Sequence, residues 1–167
     1  LTTGLYLRLL QDLEGTVYAG RISHGQAVRS IRGRKTPGET ARQREVLKLL
    51  NQVCAKLQDW VRVGTTEADI YRFCQKFMEE NGMVGSWENS CCPLVHAGAR
   101  SRQGLVPPAE NPIRPSDAFH LSFGAKKNGY APDFQRTWYV FEEGEPAVPQ
   151  EVQPAFDTIR RVIEPVR

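Results

Sequence analysis

The stretch Ser116-Asp117-Ala118-Phe119-His120-Leu121-Ser122-Phe123-Gly124, followed by Ala125-Lys126-Lys127 and then Asn128-Gly129-Tyr130-Ala131-Pro132-Asp133-Phe134-Gln135-Arg136-Thr137, decides how the chain is read. Phe119, Leu121 and Phe123 alternate with His120 and Ser122, the period-of-two pattern of a strand with one apolar face. Asn128-Gly129 signals a tight hairpin, and a returning strand is expected from about Tyr130 to Phe141. Ser122 and Asp133 are eleven positions apart. A turn near Lys127-Asn128 would set them almost opposite each other, both facing the same side. Two carboxylates placed so would make a site for one or two hard divalent cations. Here the first position is a serine, and a lone Asp on a strand is more often a surface or turn residue.

Working outward, Cys92-Pro93-Leu94-Val95 is a short apolar run, and a Gly- and Pro-rich loop spans Gly98 to Pro115. Upstream, Thr36-Pro37-Gly38-Glu39 has Thr at N-cap, Pro at N1 and Glu at N3, a capping box with the proline where its missing N–H costs nothing. Val46, Leu49, Leu50, Val53, Leu57, Trp60 and Val61 then recur at helical spacing until Gly64. A second helix starts at Thr66 and carries Ile70, Phe73, Cys74, Phe77 and Met78 on one face, stopping near Asn81-Gly82. Two helices joined so closely pack antiparallel. Residues 5 to 13 suggest a short helix closed by Gly15, Thr16 to Ile22 a brief strand, and Ser23 to Lys35 an Arg-rich linker or peripheral helix. After Glu142-Glu143-Gly144-Glu145 a last helix carries Val152, Phe156, Ile159 and Ile163. This order of elements is that of an α+β protein.

Composition narrows the function classes. The 167 residues are 40% hydrophobic and 25% charged, proportions of one ordinary globular domain rather than of a disordered chain. No apolar run approaches the ~20 residues that span a bilayer. The net charge is +3, and the Arg-rich stretch from Arg29 to Arg44 lacks the interleaved aromatics of a nucleic-acid surface, so neither nucleic acid nor membrane is expected as a partner. The four cysteines form no CxxC motif; Cys54 and Cys74 fall on apolar helix faces, and reduced thiols in a cytoplasmic setting are expected. The sequence opens at Leu1 without an initiator Met or a signal-peptide pattern, which reads as a start downstream of the native one.

The hairpin stretch resembles the metal-binding hairpin of the creatinase/aminopeptidase ("pita-bread") family, whose pattern is a Gly-Asp, an apolar pair, Asp-Phe-Gly, a turn, Gly-Tyr and Asp-x-x-Arg-Thr. Arg34-Lys35-Thr36-Pro37-Gly38-Glu39, Gly64-Thr65-Thr66-Glu67, Gly98 with Ser101, and Glu143-Gly144-Glu145-Pro146 also resemble the family, so the likeness covers about residues 30 to 167. Gln135-Arg136 and Cys92-Pro93 are more similar to the Xaa-Pro aminopeptidase/prolidase branch than to the methionine branch. The resemblance implies the first half of a pita-bread fold, with helices packed on a curved, mostly antiparallel sheet. Residues 1–29 are then the tail of an N-terminal domain or a linker, and 30–167 an N-terminal half-domain whose second half lies outside this chain.

The departures from the family pattern shape the functional expectation. The resemblance implies two metals held by two Asp, one His and two Glu. The first Asp position is occupied by Ser122 and the second by Asp133, a remnant ligand. The His and both Glu belong to the second half. A family histidine of the preceding loop falls on or next to Leu105, and His96 is the only nearby histidine that could line a cleft, with Trp87 as a further candidate for contact with substrate. A hydroxyl in place of a bidentate carboxylate weakens dication binding, and loss of the loop histidine removes a proton-handling group. The expected function is therefore an impaired Xaa-Pro peptidase-like domain that binds a peptide or protein ligand or serves a repurposed role, with no cofactor. The alternative is an active dinuclear enzyme using Mn, Co or Zn, cleaving next to proline and completed by a second half. A homodimer, or completion by another half-domain, is the expected assembly.

Overall fold

The structure is a computed structural model that describes residues 2–22, 26–145, 147–150 and 152–163. Ser23, His24 and Pro146, all part of the reading above, lie outside the described residues, and of Ile163 only the backbone is described. The chain divides into two compact units, Leu1–Thr36 and Pro37–Arg167.

The first unit holds α1 (Thr3–Leu13) and α2 (Gln26–Gly33). Thr2 caps α1 by accepting from the Leu5 N–H at 3.4 Å, and no residue of α1 is buried. The brief strand expected over Thr16 to Ile22 is instead a run of turns. Gly15 and Gly20 both sit at positive φ (76° and 75°), and the Thr16, Ala19 and Arg21 N–H groups each donate three residues back. That short-range pairing leaves no extended backbone for a partner strand. The Arg-rich connector contains a helix, α2, rather than an open linker.

In the second unit α3 (Pro37–Trp60) and α4 (Glu67–Glu80) form the helical layer. Pro37 opens α3, as its fixed φ favours. Thr66 caps α4 in a full capping box with Asp69, one side chain bonding the other residue's backbone N–H in each direction. The apolar stripes face inward: Val46, Leu50, Val53, Cys54 and Leu57 from α3 meet Ile70, Cys74, Phe77 and Met78 from α4 in one core. Trp60 stacks on Phe73 at 4.9 Å.

The core is closed by an antiparallel three-stranded sheet in the order β2 (Leu94–Ala97), β3 (Ala118–Ser122), β5 (Gln135–Tyr139). A two-stranded sheet pairs β1 (Val84–Gly85) with β4 (Ala125–Lys126). Val95 and Ala97 of β2 and Phe119 and Leu121 of β3 are buried in the helical core, while Leu94, His96, His120 and Ser122 lie half-buried between them in the alternation. Asn128 (φ 53°) and Gly129 (φ 81°) form the two-residue turn, bracketed by the Lys127–Tyr130 bridge; both central residues at positive φ define the type I′ turn that suits strand twist. The Tyr130 hydroxyl donates to Glu39 at 2.9 Å, tying the turn to the first turn of α3. The returning strand is shorter than expected, Gln135–Tyr139 rather than Tyr130 to Phe141. Pro132 has no N–H to give a ladder, and pairing resumes only where the Phe123 N–H donates to the Phe134 carbonyl at 2.9 Å. The last helix, α5 (Gln153–Ile163), leaves Phe156 and Ile159 exposed.

Gly124 sits where β3 bends into β4. A Cβ there would collide with the Trp87 ring, whose indole N–H donates to the Cys91 carbonyl at 2.8 Å. Gly124→Ala is expected to cost about 1–3 kcal/mol through overpacking. Gly38→Ala, in α3 with open space around it, should instead stabilise by roughly 0.5–1 kcal/mol. Urea unfolding of both variants checks the contrast.

Candidate functional site

The site is built on the face of the three-stranded sheet that turns away from the helices. β3 lies in the middle, so its register fixes both neighbours. Ser122 pairs with Leu94 on one side and Gln135 on the other, and His120 pairs with His96 and Thr137. The Phe123–Phe134 bond continues the β3–β5 ladder by one residue. Hydrogen-bonded and non-bonded pairs alternate along an antiparallel ladder. His120–Thr137 and Ser122–Gln135 are therefore non-bonded pairs, whose side chains approach most closely.

This register corrects the expected opposition of Ser122 and Asp133. Gln135 is the partner of Ser122, and Asp133 lies two residues further along, level with Gly124. Asp133 and Gln135 are exposed while Phe134 between them is buried, so Asp133 shares the open side with Gln135. The row that holds Ser122 is Leu94–Ser122–Gln135, without a formal charge. Leu105 is 74% exposed in the loop between β2 and β3. Trp87 is half-buried, with its ring packed against Gly124. His96 stands on β2 itself, on the open face.

A dinuclear centre requires several anionic oxygen ligands around two dications. Among the described residues no three or more His, Cys, Asp or Glu side chains gather into a metal-holding group. Asp133 and Ser122 together offer one anion, so the described residues do not fit a two-metal centre, and no metal-dependent step is derived from them. All four cysteines are buried free thiols. Burial pushes the Cys54 thiol up to about 11, with nearby Arg136 opposing, and burial raises the Cys74 thiol as well. These are inert packing groups rather than ligands or nucleophiles.

Two features escape a reading of the sequence alone. His120 shows there only as a polar residue in an alternating strand; its pairing with His96 needs the three-strand register. Its pKa is lowered, first by burial and then by the neighbouring His96. The second is Glu67, in the first turn of α4 and only 3% exposed. Its Oε1 accepts from the Ala97 N–H at 3.0 Å, from Asn111 Nδ2 at 2.9 Å and from the Ser101 hydroxyl, and its Oε2 accepts from the Ala109 N–H at 3.1 Å. One carboxylate thus fastens the end of β2 and both arms of the long loop to the helix N-terminus, where negative charge is favoured. Beside it, Gly98 is held against Asp117, which pairs with Arg100 at 2.5 Å. The residues the sequence singled out on Gly98 and Ser101 are parts of this structural joint.

The model of metallopeptidase family M24 matches residues 41–166, and the chain belongs to that family. An X-Pro aminopeptidase from Thermotoga maritima is similar in structure, with TM-score 0.66 and 21% identity over 91% of this chain and 40% of that one. A Xaa-Pro dipeptidase from Bacillus anthracis matches with TM-score 0.65 and 22% identity, over 94% of this chain and 41% of its own. A methionine aminopeptidase from Rickettsia prowazekii matches with TM-score 0.54 and 17% identity, over 65% and 44%. No curated protein matches the chain. The likenesses establish the fold as part of the pita-bread architecture, and the chain spans about two-fifths of the length of these structures.

Burial alone would raise the Glu67 pKa, but the hydrogen bonds from Asn111, Ser101, Ala97 and Ala109 outweigh it and hold the pKa below the ordinary value. A lowered folded-state pKa gives stability that is fully present above the unfolded carboxylate value, about 4.3, and is lost as pH falls through the folded value. Glu67→Gln aims an amide donor at donors and is expected to cost about 2–4 kcal/mol at pH 7. The gap between wild type and variant, measured by denaturant unfolding, should narrow below about pH 4.

Proposed function

We propose that this chain is an Xaa-Pro peptidase-like domain whose hydrolytic metal centre is impaired and whose role is to hold a peptide or protein ligand on the open face of its sheet. The observation that carries this reading is the Leu94–Ser122–Gln135 row. Its middle position is where the family resemblance places a bidentate metal-ligating acid. A neutral hydroxyl there supplies no charge to offset the repulsion of two dications, and hard cations choose sites by the number of charged oxygens around them. Asp133 remains as a single exposed acid, and Leu105 stands where the resemblance places a proton-handling histidine. The family likeness supports a peptide as the ligand class, since the similar structures are an X-Pro aminopeptidase and a Xaa-Pro dipeptidase.

The reading predicts that the chain completed by its second half-domain takes up no stoichiometric pair of Mn²⁺ ions in calorimetric titration and does not hydrolyse Gly-Pro. Ser122→Asp, alone or with Leu105→His, should raise Mn²⁺ affinity by about tenfold or more, since tenfold needs only about 1.4 kcal/mol. Two tightly bound Mn²⁺ per wild-type chain with turnover of Gly-Pro would favour an active metallopeptidase instead. No gain of affinity in Ser122→Asp would show that the hydroxyl is not what limits metal binding.

A further inference from the structure

The open face carries a second constellation, one row from Ser122, that the peptide-holding role leaves unused. His96 and His120 are directly paired across β2 and β3. Both are half-buried, and both alternate with residues committed to the core, Val95 and Ala97 on one strand and Phe119 and Leu121 on the other. The two imidazoles therefore rise from the same side of the sheet. Directly paired residues of an antiparallel sheet have Cβ atoms about 4.5–5.5 Å apart, a spacing from which two rings can converge on one point.

The third strand orients one of them. His120 Nδ1 lies 2.8 Å from the Thr137 hydroxyl, and Thr137 is the β5 partner of His120. In the tautomer that carries its proton on Nδ1, His120 donates to that hydroxyl and keeps the Nε2 lone pair directed away from the bond. This is the support that metal-binding imidazoles characteristically have: one nitrogen fixed by a hydrogen bond, the other free to ligate. The surroundings specify the kind of ion. The adjacent row is Leu94–Ser122–Gln135 and the next pair on the other side is Ala118–Tyr139, none of them acidic. Asp133 lies two rows away along the ladder. Two neutral nitrogen donors without a carboxylate suit borderline dications such as Zn²⁺, Ni²⁺ and Cu²⁺, and suit Mn²⁺, Mg²⁺ and Ca²⁺ poorly.

We propose that His96 and His120 form a two-imidazole site for one borderline transition-metal dication, with Thr137 as the positioning residue of His120. The site is separate from the Ser122–Asp133 position and stands or falls independently of whether peptide hydrolysis is impaired. With only two protein ligands, the remaining coordination positions are open to water or to a donor group on a bound ligand.

Calorimetric titration of the whole chain with ZnCl₂ tests the proposal. One Zn²⁺ per chain is expected, with affinity falling at least about tenfold in His96→Ala and in His120→Ala, and by roughly tenfold in Thr137→Val but little in Thr137→Ser. Asp133→Asn should leave Zn²⁺ affinity unchanged. Because a histidine variant could lose its fold, the wild-type chain provides a second readout. Of its three histidines, substoichiometric Ni²⁺ should broaden the imidazole resonances of His96 and His120 together, ahead of His24. Absence of saturable Zn²⁺ uptake, uptake that survives the double histidine substitution, uptake abolished by Asp133→Asn, or Ni²⁺ broadening centred on His24 would each overturn it.

Discussion

The phase of one five-residue strand governs this molecule. β3 pairs on both sides, so its alternation decides which residues of three strands enter the helical core and which form the open face. Side chains in a strand change sides with every residue, and a slip of one position would turn Phe119 and Leu121 outward and His120 and Ser122 into the core. Burying an unpartnered imidazole and hydroxyl while exposing two large apolar side chains would cost several kcal/mol. The register is held by that penalty. Stacking of Phe119 on Trp138 at 4.6 Å and the type I′ turn at Asn128-Gly129 act in the same direction. Position 122 is consequently on the open face for reasons unrelated to metal chemistry, and what stands there decides what that face can bind.

The contrast between two acids shows how charge is managed. Glu67 is buried, and both of its oxygens are filled by donors from β2, the long loop and Asn111. Such a charge is tolerable because every acceptor position is satisfied and the helix N-terminus adds a favourable field. Asp133 is exposed and makes no comparable set of bonds in the ladder. The first acid is a structural joint; the second is available for ligands. A site that needs several anions cannot be assembled from the second alone, whereas neutral imidazoles one row from Ser122 need no such assembly.

Much of the fold is legible in the amino-acid sequence because local signals and tertiary demands agree. Pro37 and the Thr66/Asp69 pair mark helix starts that the structure keeps, and the β3 alternation and the Asn128-Gly129 turn are equally direct. Disagreement arises where local pattern is weak. Thr16 to Ile22 has β-branched residues but is preceded by Gly15 and interrupted by Gly20, both at positive φ, and turn geometry prevails. The strand after the hairpin begins late because Pro132 interrupts the ladder, and Asp133 falls level with Gly124 rather than Ser122 because the turn is centred on Asn128-Gly129, with Lys127 opposite Tyr130. The His96–His120–Thr137 row and the Glu67 joint were not legible. Each joins residues separated by many positions through registers that no local spacing encodes.

The claim on which the functional account rests is that an uncharged side chain at position 122 leaves this face unable to hold a pair of hard cations. Crystals of the chain completed by its second half-domain, grown in Mn²⁺ and measured at an energy where manganese scatters anomalously, test it most directly. The account predicts no pair of anomalous peaks between Ser122 and Asp133. Two ordered manganese ions sharing the Asp133 carboxylate would contradict it.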